Sequence, residues 1–144
     1  MSCARHMDVV SINYYDLELS KAEFDRYYSL AGKPIIIGEY GFNSMDGGCL
    51  TAAVPVANEE ERGVGYRWFT ERAAALPYII GLHFFQYWDE PITGRFDRET
   101  SFNGFVRVTD ISYNWLVESA KITNGRIYRL HAGEVKPTER SPKR

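Results

Sequence analysis

Short runs of consecutive apolar residues alternate with stretches in which apolar residues recur every three or four positions, and this alternation repeats along the chain. From Asp8 to Asn13 the β-branched run of Val9, Val10 and Ile12 predicts a strand whose end opens into a loop at Asn13 to Asp16. Ser20 and Glu23 then stand at capping-box spacing, and Phe24, Tyr27, Tyr28 and Ala31 follow at helical intervals. Gly32 and Pro34 stop that helix.

The next run, Pro34 to Glu39, is continuously apolar up to its last residue, as expected for a parallel strand covered on both faces. A Gly-rich loop from Tyr40 to Ala57 leads to Asn58, which caps a second helix with Glu61 at the third helical position. Tyr66, Phe69, Ala73 and Leu76 mark its buried stripe, and it ends near Pro77. Tyr78 to Phe85 repeats the buried-strand pattern and is followed by a loop of aromatic and charged residues from Gln86 to Phe105. Asp110 is placed to cap a last helix with a stripe of Tyr113, Leu116, Val117 and Ala120, which is expected to continue through Asn124 and Gly125 to His131.

Three strand–helix units with short connections imply parallel strands joined by right-handed crossovers, so the fold class is α/β. A complete (β/α)8 barrel takes about 250 residues, and a doubly wound sheet usually has more strands than three. At 144 residues the chain fits three such units as a portion of a larger sheet.

Composition narrows the function. A hydrophobic fraction of 44% with 25% charged residues is ordinary for a soluble globular domain. A net charge of −2 gives no electrostatic footprint for nucleic acid or an anionic membrane. No apolar stretch has the form of a signal peptide or reaches the length needed to cross a bilayer, and nothing in the sequence defines a compartment. Cys3 and Cys49 are far apart and outside any C-x-x-C spacing, so two free thiols are expected rather than a zinc site, and no cofactor motif is present. The end of the chain combines two Pro with charge and no apolar anchor, which predicts a disordered polar tail over 134–144 after a folded unit over 1–133.

In parallel α/β folds ligands sit at the C-terminal ends of the strands, and here those ends carry the chemistry. The first supplies Asn13, Tyr14 and Tyr15; the second Glu39; the third His83, Gln86, Tyr87 and Trp88. Glu39 arrives at the mouth of an apolar strand, where a carboxylate is costly unless its ionisation has a use. Tyr14 or Tyr15 is placed to donate a hydrogen bond to it, with aromatic packing as the alternative for either ring. His83, taken alone, reads as a core histidine. Successive residues alternate faces, so Tyr87 or Trp88 should line the cleft rim, where a sugar ring could stack. Asp89, Glu90, Arg95, Asp97, Arg98 and Glu99 read mainly as a solvated loop of mixed charge.

Asn13-Tyr14-Tyr15, Ile37 to Phe42 and Gly81 to Pro91 together resemble the sixth, seventh and eighth strand ends of clan A glycoside hydrolases, with a likeness to β-agarase and β-galactosidase-like members. Those relatives run a His-Trp-Phe-Gln segment into a Thr-Gly-Arg loop, a Gly-Glu-Asn stretch and an Asp-Thr-Pro-Tyr helix start. This chain has His83 to Gln86, Thr93 to Arg95, Asp97 to Gly104 and Thr109 to Tyr113. It departs from them at Phe84, where they carry a cleft Trp, and at Arg98 to Thr100, in place of Gly-Glu-Asn.

The resemblance implies the C-terminal portion of a (β/α)8 barrel and a retaining, double-displacement cleavage of β-linked galactose-containing poly- or oligosaccharides. Glu39 would be the nucleophile, Tyr14 or Tyr15 its orienting partner, and Asn13, His83, Gln86 and Trp88 substrate contacts. The family's acid/base ends an earlier strand, so it is expected to lie outside this chain, which alone should be inactive and could self-associate through exposed barrel edges. The rival reading is a non-catalytic carbohydrate-binding or assembly fragment. A flavodoxin-like domain is disfavoured, because no Gly-rich phosphate loop opens a helix.

Overall fold

The computed structural model describes residues 3–48 and 53–144. Three strands, β1 (Val10–Asn13), β2 (Ile35–Tyr40) and β5 (Ile79–Phe84), form a parallel sheet in the order β1-β2-β5. Helix α1 (Lys21–Ala31) connects the first two, and α2 (Glu59–Ala74) leads into the third. Helices α3 (Asn114–Asn124) and α4 (Ile127–His131) follow the sheet. The three parallel strands and the helices between them are those expected from the apolar pattern.

The caps form as their spacing implies. Ser20 Oγ accepts from the Glu23 N–H at 3.4 Å, and Gly32 ends α1 in the left-handed region at φ 59°. Asn58 Oδ1 accepts from the Glu61 N–H at 3.0 Å, and Glu59, Glu60 and Glu61 place negative charge on the first turn of α2, where the helix dipole favours it.

The core lies between one face of the sheet and the helices. Ile35, Ile37 and Tyr40 of β2 are buried there with Phe24 of α1 and Phe69 of α2, and the Tyr40 and Phe69 rings stack at 4.7 Å. Helix α2 is buried on almost every side, because α3 packs closely over it: a Cβ at Gly63 would stand 2.7 Å from the Trp115 carbonyl oxygen. Its fully buried Arg62 donates to the carbonyls of Phe42 (2.9 Å) and Gly104 (2.8 Å) and to Glu59 (3.0 and 3.1 Å), tying the loops at the strand ends to the helix.

Four expectations are corrected. The loop after β2 contains two short strands, β3 (Phe42–Ser44) and β4 (Val54–Val56), which pair in parallel; runs of three residues are too short to show a period. The last helix does not run on to His131. It ends at Asn124, and Arg126, at φ −123° and ψ 3°, breaks the path before α4. Asp110 does not cap it either, being held in a turn at φ 60°, and Tyr113 occupies the N-cap position without a capping bond from its side chain.

The fourth correction is the tail, which is ordered along α2. The Thr138 N–H donates to Glu71 Oε2 (2.8 Å), the Lys143 N–H to Glu61 Oε2 (3.0 Å) and the Ala57 N–H to the Lys143 carbonyl (2.9 Å), while Pro142 is buried. Composition misses this because the anchors are backbone N–H groups, which every sequence has. Cys49 and the side chain of Cys3 lie outside the described residues. Among the described residues no helix is long and apolar enough to cross a membrane.

Candidate active site

The position of Glu39 follows from an irregularity in β2. Simple alternation would put Glu39 on the face of Ile35 and Ile37, against the helices. The register instead slips at this point: Ile12 and Asn13 of β1 pair with Ile37 and Glu39, and Leu82 and Phe84 of β5 pair with Ile37 and Tyr40. One extra residue therefore sits in β2 between Ile37 and Tyr40. Such a bulge re-aims the side chains that follow it. Tyr40 returns to the core face and is buried, whereas Gly38 and Glu39 are only partly buried, on the side of the sheet away from the helices.

Gly38 brings β1 close. A Cβ there would lie 2.5 Å from Ser11 Oγ and 2.9 Å from Asn13 Oδ1, so exposed Asn13 shares the open face with Gly38. The Tyr15 hydroxyl, just beyond β1, donates to Glu39 Oε2 at 3.1 Å. Burial, then the charge and hydrogen bond of Glu39, then the charge of Glu99 hold this phenol well above its usual pKa, with Arg95 opposing. It therefore stays a donor across the neutral range.

Of the two tyrosines proposed as partners of Glu39, the structure selects Tyr15. Tyr14 faces the helices: its hydroxyl lies 3.4 Å from Glu23 Oε2, and its ring packs edge-on to Phe24 at 5.1 Å. His83 is exposed and alternates with the core-facing Leu82 and Phe84, which corrects its reading as a core histidine. Phe84, the position at which the resembled family carries a cleft Trp, is a core residue against Tyr40 (5.4 Å) and Phe105 (4.9 Å). Gln86 is partly buried, and its carbonyl accepts from the Phe105 N–H at 3.2 Å. Trp88 is 56% exposed, with its ring edge-on to Tyr87 at 5.3 Å.

The charged loop after β5 is more ordered than its composition suggests. Asp89 and Glu90 are buried, and Asp89 accepts from the Tyr113 hydroxyl (2.6 Å) and the Gly104 N–H (2.9 Å). Arg95 pairs with Glu90, Asp97 and Glu99 and lies over the Phe85 ring. Sequence reasoning undervalued this cluster: its acids stand five residues before Arg95 and two and four after it, a mixture that a solvated loop shares. Among the described residues no group of His, Cys, Asp and Glu is arranged to hold a metal ion.

The chain is related to glycoside hydrolases. It is 41% identical over 130 residues to Beta-agarase B of Vibrio sp. (strain JT0107), covering 88% of this chain and 14% of that protein. To Beta-agarase A of the same organism it is 33% identical over 133 residues, covering 88% and 13%. The solved structure of an exo-beta-agarase superposes with a TM-score of 0.83 at 37% identity, over 90% of this chain and 18% of that one. The chain thus spans about one seventh of the length of these curated relatives. No protein-family model matches it.

Proposed function

We propose that this chain is the C-terminal portion, about strands six to eight, of a (β/α)8 retaining glycoside hydrolase that cleaves β-linked galactose-containing polysaccharides. Glu39 is its nucleophile. The observation that carries the reading is the hydrogen bond from Tyr15 to Glu39 across two adjacent strand ends, at a bulge that turns the carboxylate out of the core. Similarity to agarases supports the substrate class.

In a retaining mechanism Glu39 attacks the anomeric carbon and forms a glycosyl ester while a second carboxyl group, about 5–5.5 Å away, protonates the leaving oxygen. The same group then deprotonates the water that cleaves the ester. Tyr15 fixes the attacking carboxylate by donating to one of its oxygens, leaving the other for attack. Asn13, His83, Gln86 and Trp88 are assigned to substrate contact, from the strand ends around Glu39. The acid/base is assigned to an earlier strand of the parent barrel. Without it the 144-residue chain should lose about 10²–10⁴ in rate on that account alone. Edges β1 and β5 have one strand neighbour each, and Ile80 and Tyr128 are exposed beside β5, so the isolated chain is also expected to self-associate.

The test is a chimera in which this chain replaces the matching segment of Beta-agarase B. Agarose hydrolysis should fall by orders of magnitude in Glu39→Gln, and azide should restore turnover to Glu39→Ala by taking the place of the missing nucleophile. Tyr15→Phe should cost about tenfold or more, as for a hydrogen bond to a charged group, and Tyr14→Phe should leave the rate alone. Hydrolysis that survives Glu39→Gln would overturn the assignment.

A further inference from the structure

Phe96 has no role in the reading above, yet it is the most exposed large hydrophobic residue among those described, at 99%. An exposed ring forgoes about 1.5–3 kcal/mol of burial, and on a loose loop it would need no explanation. This loop is not loose. Arg95, immediately before Phe96, turns all three guanidinium nitrogens onto carboxylates: Nη1 to Glu90 (3.3 Å), Nε and Nη2 to Asp97 (3.3 and 2.8 Å), and Nη2 also to Glu99.

The backbone is closed around the same point. The Arg95 N–H donates to the Glu99 carbonyl (2.8 Å) and the Arg98 N–H to the Arg95 carbonyl (3.0 Å), with Gly94 and Arg98 at φ 81° and 70°. The non-glycine left-handed residue costs on the order of 1 kcal/mol or more. Beneath the clamp, Glu90 is 1% exposed, its Oε1 faces the Arg95 cation, and among the described residues no group hydrogen-bonds its carboxylate. A buried carboxylate and a strained residue are thus committed to a turn that holds one bare aromatic ring in solvent.

The turn neighbours the candidate active site: the charges of Arg95 and Glu99 act on the Tyr15 phenol that bonds Glu39. The Arg95 guanidinium lies 5.7 Å from the centroid of Phe85, the residue after β5, whose N–H donates to the Tyr40 carbonyl at the end of β2. We propose that Phe96 is a stacking platform for a sugar ring of the galactose-containing chain whose neighbouring ring lies at Glu39, and that the Arg95 clamp is the positioning device that holds it there.

The chemistry around Phe96 favours this occupant over a protein. A sugar offers a C–H face that packs on an aromatic ring and a rim of hydroxyls that bonds to charged groups. Phe96 is flanked by Arg95, Asp97 and Arg98, and Asp97 and Glu99 are themselves partly exposed. A protein interface would call for a continuous apolar patch, with charged residues depleted at its centre. The inference rests on the carbohydrate reading and is independent of the nucleophilic role of Glu39.

Saturation-transfer NMR on the 144-residue chain with a neutral agarose-derived hexasaccharide tests it, with amide spectra recorded to confirm the fold of each variant. The wild-type chain and Glu39→Gln should both transfer saturation to sugar C–H protons. Phe96→Ala should weaken binding several-fold, Phe96→Trp should restore it, and Arg95→Gln should weaken it with Phe96 intact. Absence of transfer from the wild type, or equal binding by Phe96→Ala, overturns the platform. Self-association that disappears in Phe96→Ala while sugar binding persists overturns it in favour of a protein partner. Loss of binding in Glu39→Gln alone would move the sugar to the strand ends and leave the platform wrong with the site reading intact.

Discussion

Gly38 and Ser11 meet where the register of the sheet slips: a Cβ on Gly38 would stand 2.5 Å from Ser11 Oγ, closer than real side chains approach. The contact lies at the bulge that presents Glu39, so it couples stability to the geometry of the site. Gly38→Ala must push Ser11 and Asn13 aside or separate β1 from β2. We expect a loss of about 1–3 kcal/mol, the usual cost of overpacking. In Ser11→Ala the obstructing oxygen is gone, and the remaining close atom, Asn13 Oδ1 at 2.9 Å, ends a side chain that can rotate. Denaturant unfolding of the two single variants and the double variant should therefore show a favourable coupling between them. Additive losses would mean that the strands do not touch here.

The same region marks the limit of what the sequence discloses. The three strands, the caps at Ser20 and Asn58 and the gathering of Glu39, Tyr15 and His83 at strand ends follow from apolar runs and short-range spacing, which are local properties. Which of Tyr14 and Tyr15 reaches Glu39 does not, because a one-residue slip in register exchanges the two faces of a strand. The slip in β2 is set by pairing with β1 and β5 together, and Gly38 marks only that something unusual happens in the strand, not which way the faces turn after it. The buried Glu90 and the clamp on Arg95 were hidden for a related reason. Charged residues in a loop read as solvated until a partner from the same loop is seen to close on them.

Glu90 gives a pH dependence with a definite sign. Burial raises its pKa above the ordinary 4.5, aided by the charges of Glu99, Asp97 and Asp89 and opposed by Arg95. The folded chain therefore holds this proton more tightly than the unfolded chain does. Its contribution is complete below about pH 4.5 and is lost as the pH rises through the folded-state value. Glu90→Gln removes the titration. The stability of the wild type relative to this variant should fall as the pH is raised from about 4.5, and then level off. Urea unfolding of both proteins at a series of pH values checks this, and a difference that grows in the opposite direction would show that the Arg95 pair outweighs burial.

The ordered tail makes the last prediction, and its size depends on where the carboxylates lie rather than on how many charges the tail carries. Glu71 is fully buried in α2 and accepts from the Thr138 N–H, Arg67 Nε and Thr123 Oγ1, while Glu61 accepts from the Lys143 N–H and Arg140. Deleting residues 137–144 takes donors from both and the Thr138 carbonyl from Arg72. Stripping one partner from a buried charged group costs about 1–3 kcal/mol, so the truncation should lower stability by a few kcal/mol. Arg140→Ala is the contrasting case. Its pair with Glu60 is half exposed on both sides, where pairs contribute about 0–1 kcal/mol, and its loss from the buried Glu61 leaves that carboxylate the Lys143 N–H, whereas the truncation takes both donors of Glu61 and one of Glu71. Thermal unfolding should accordingly show a large drop in Tm for the truncation and a smaller one for Arg140→Ala. Hydrogen exchange should find the Thr138 and Lys143 amides protected, because each donates to a carboxylate that the helix keeps from water.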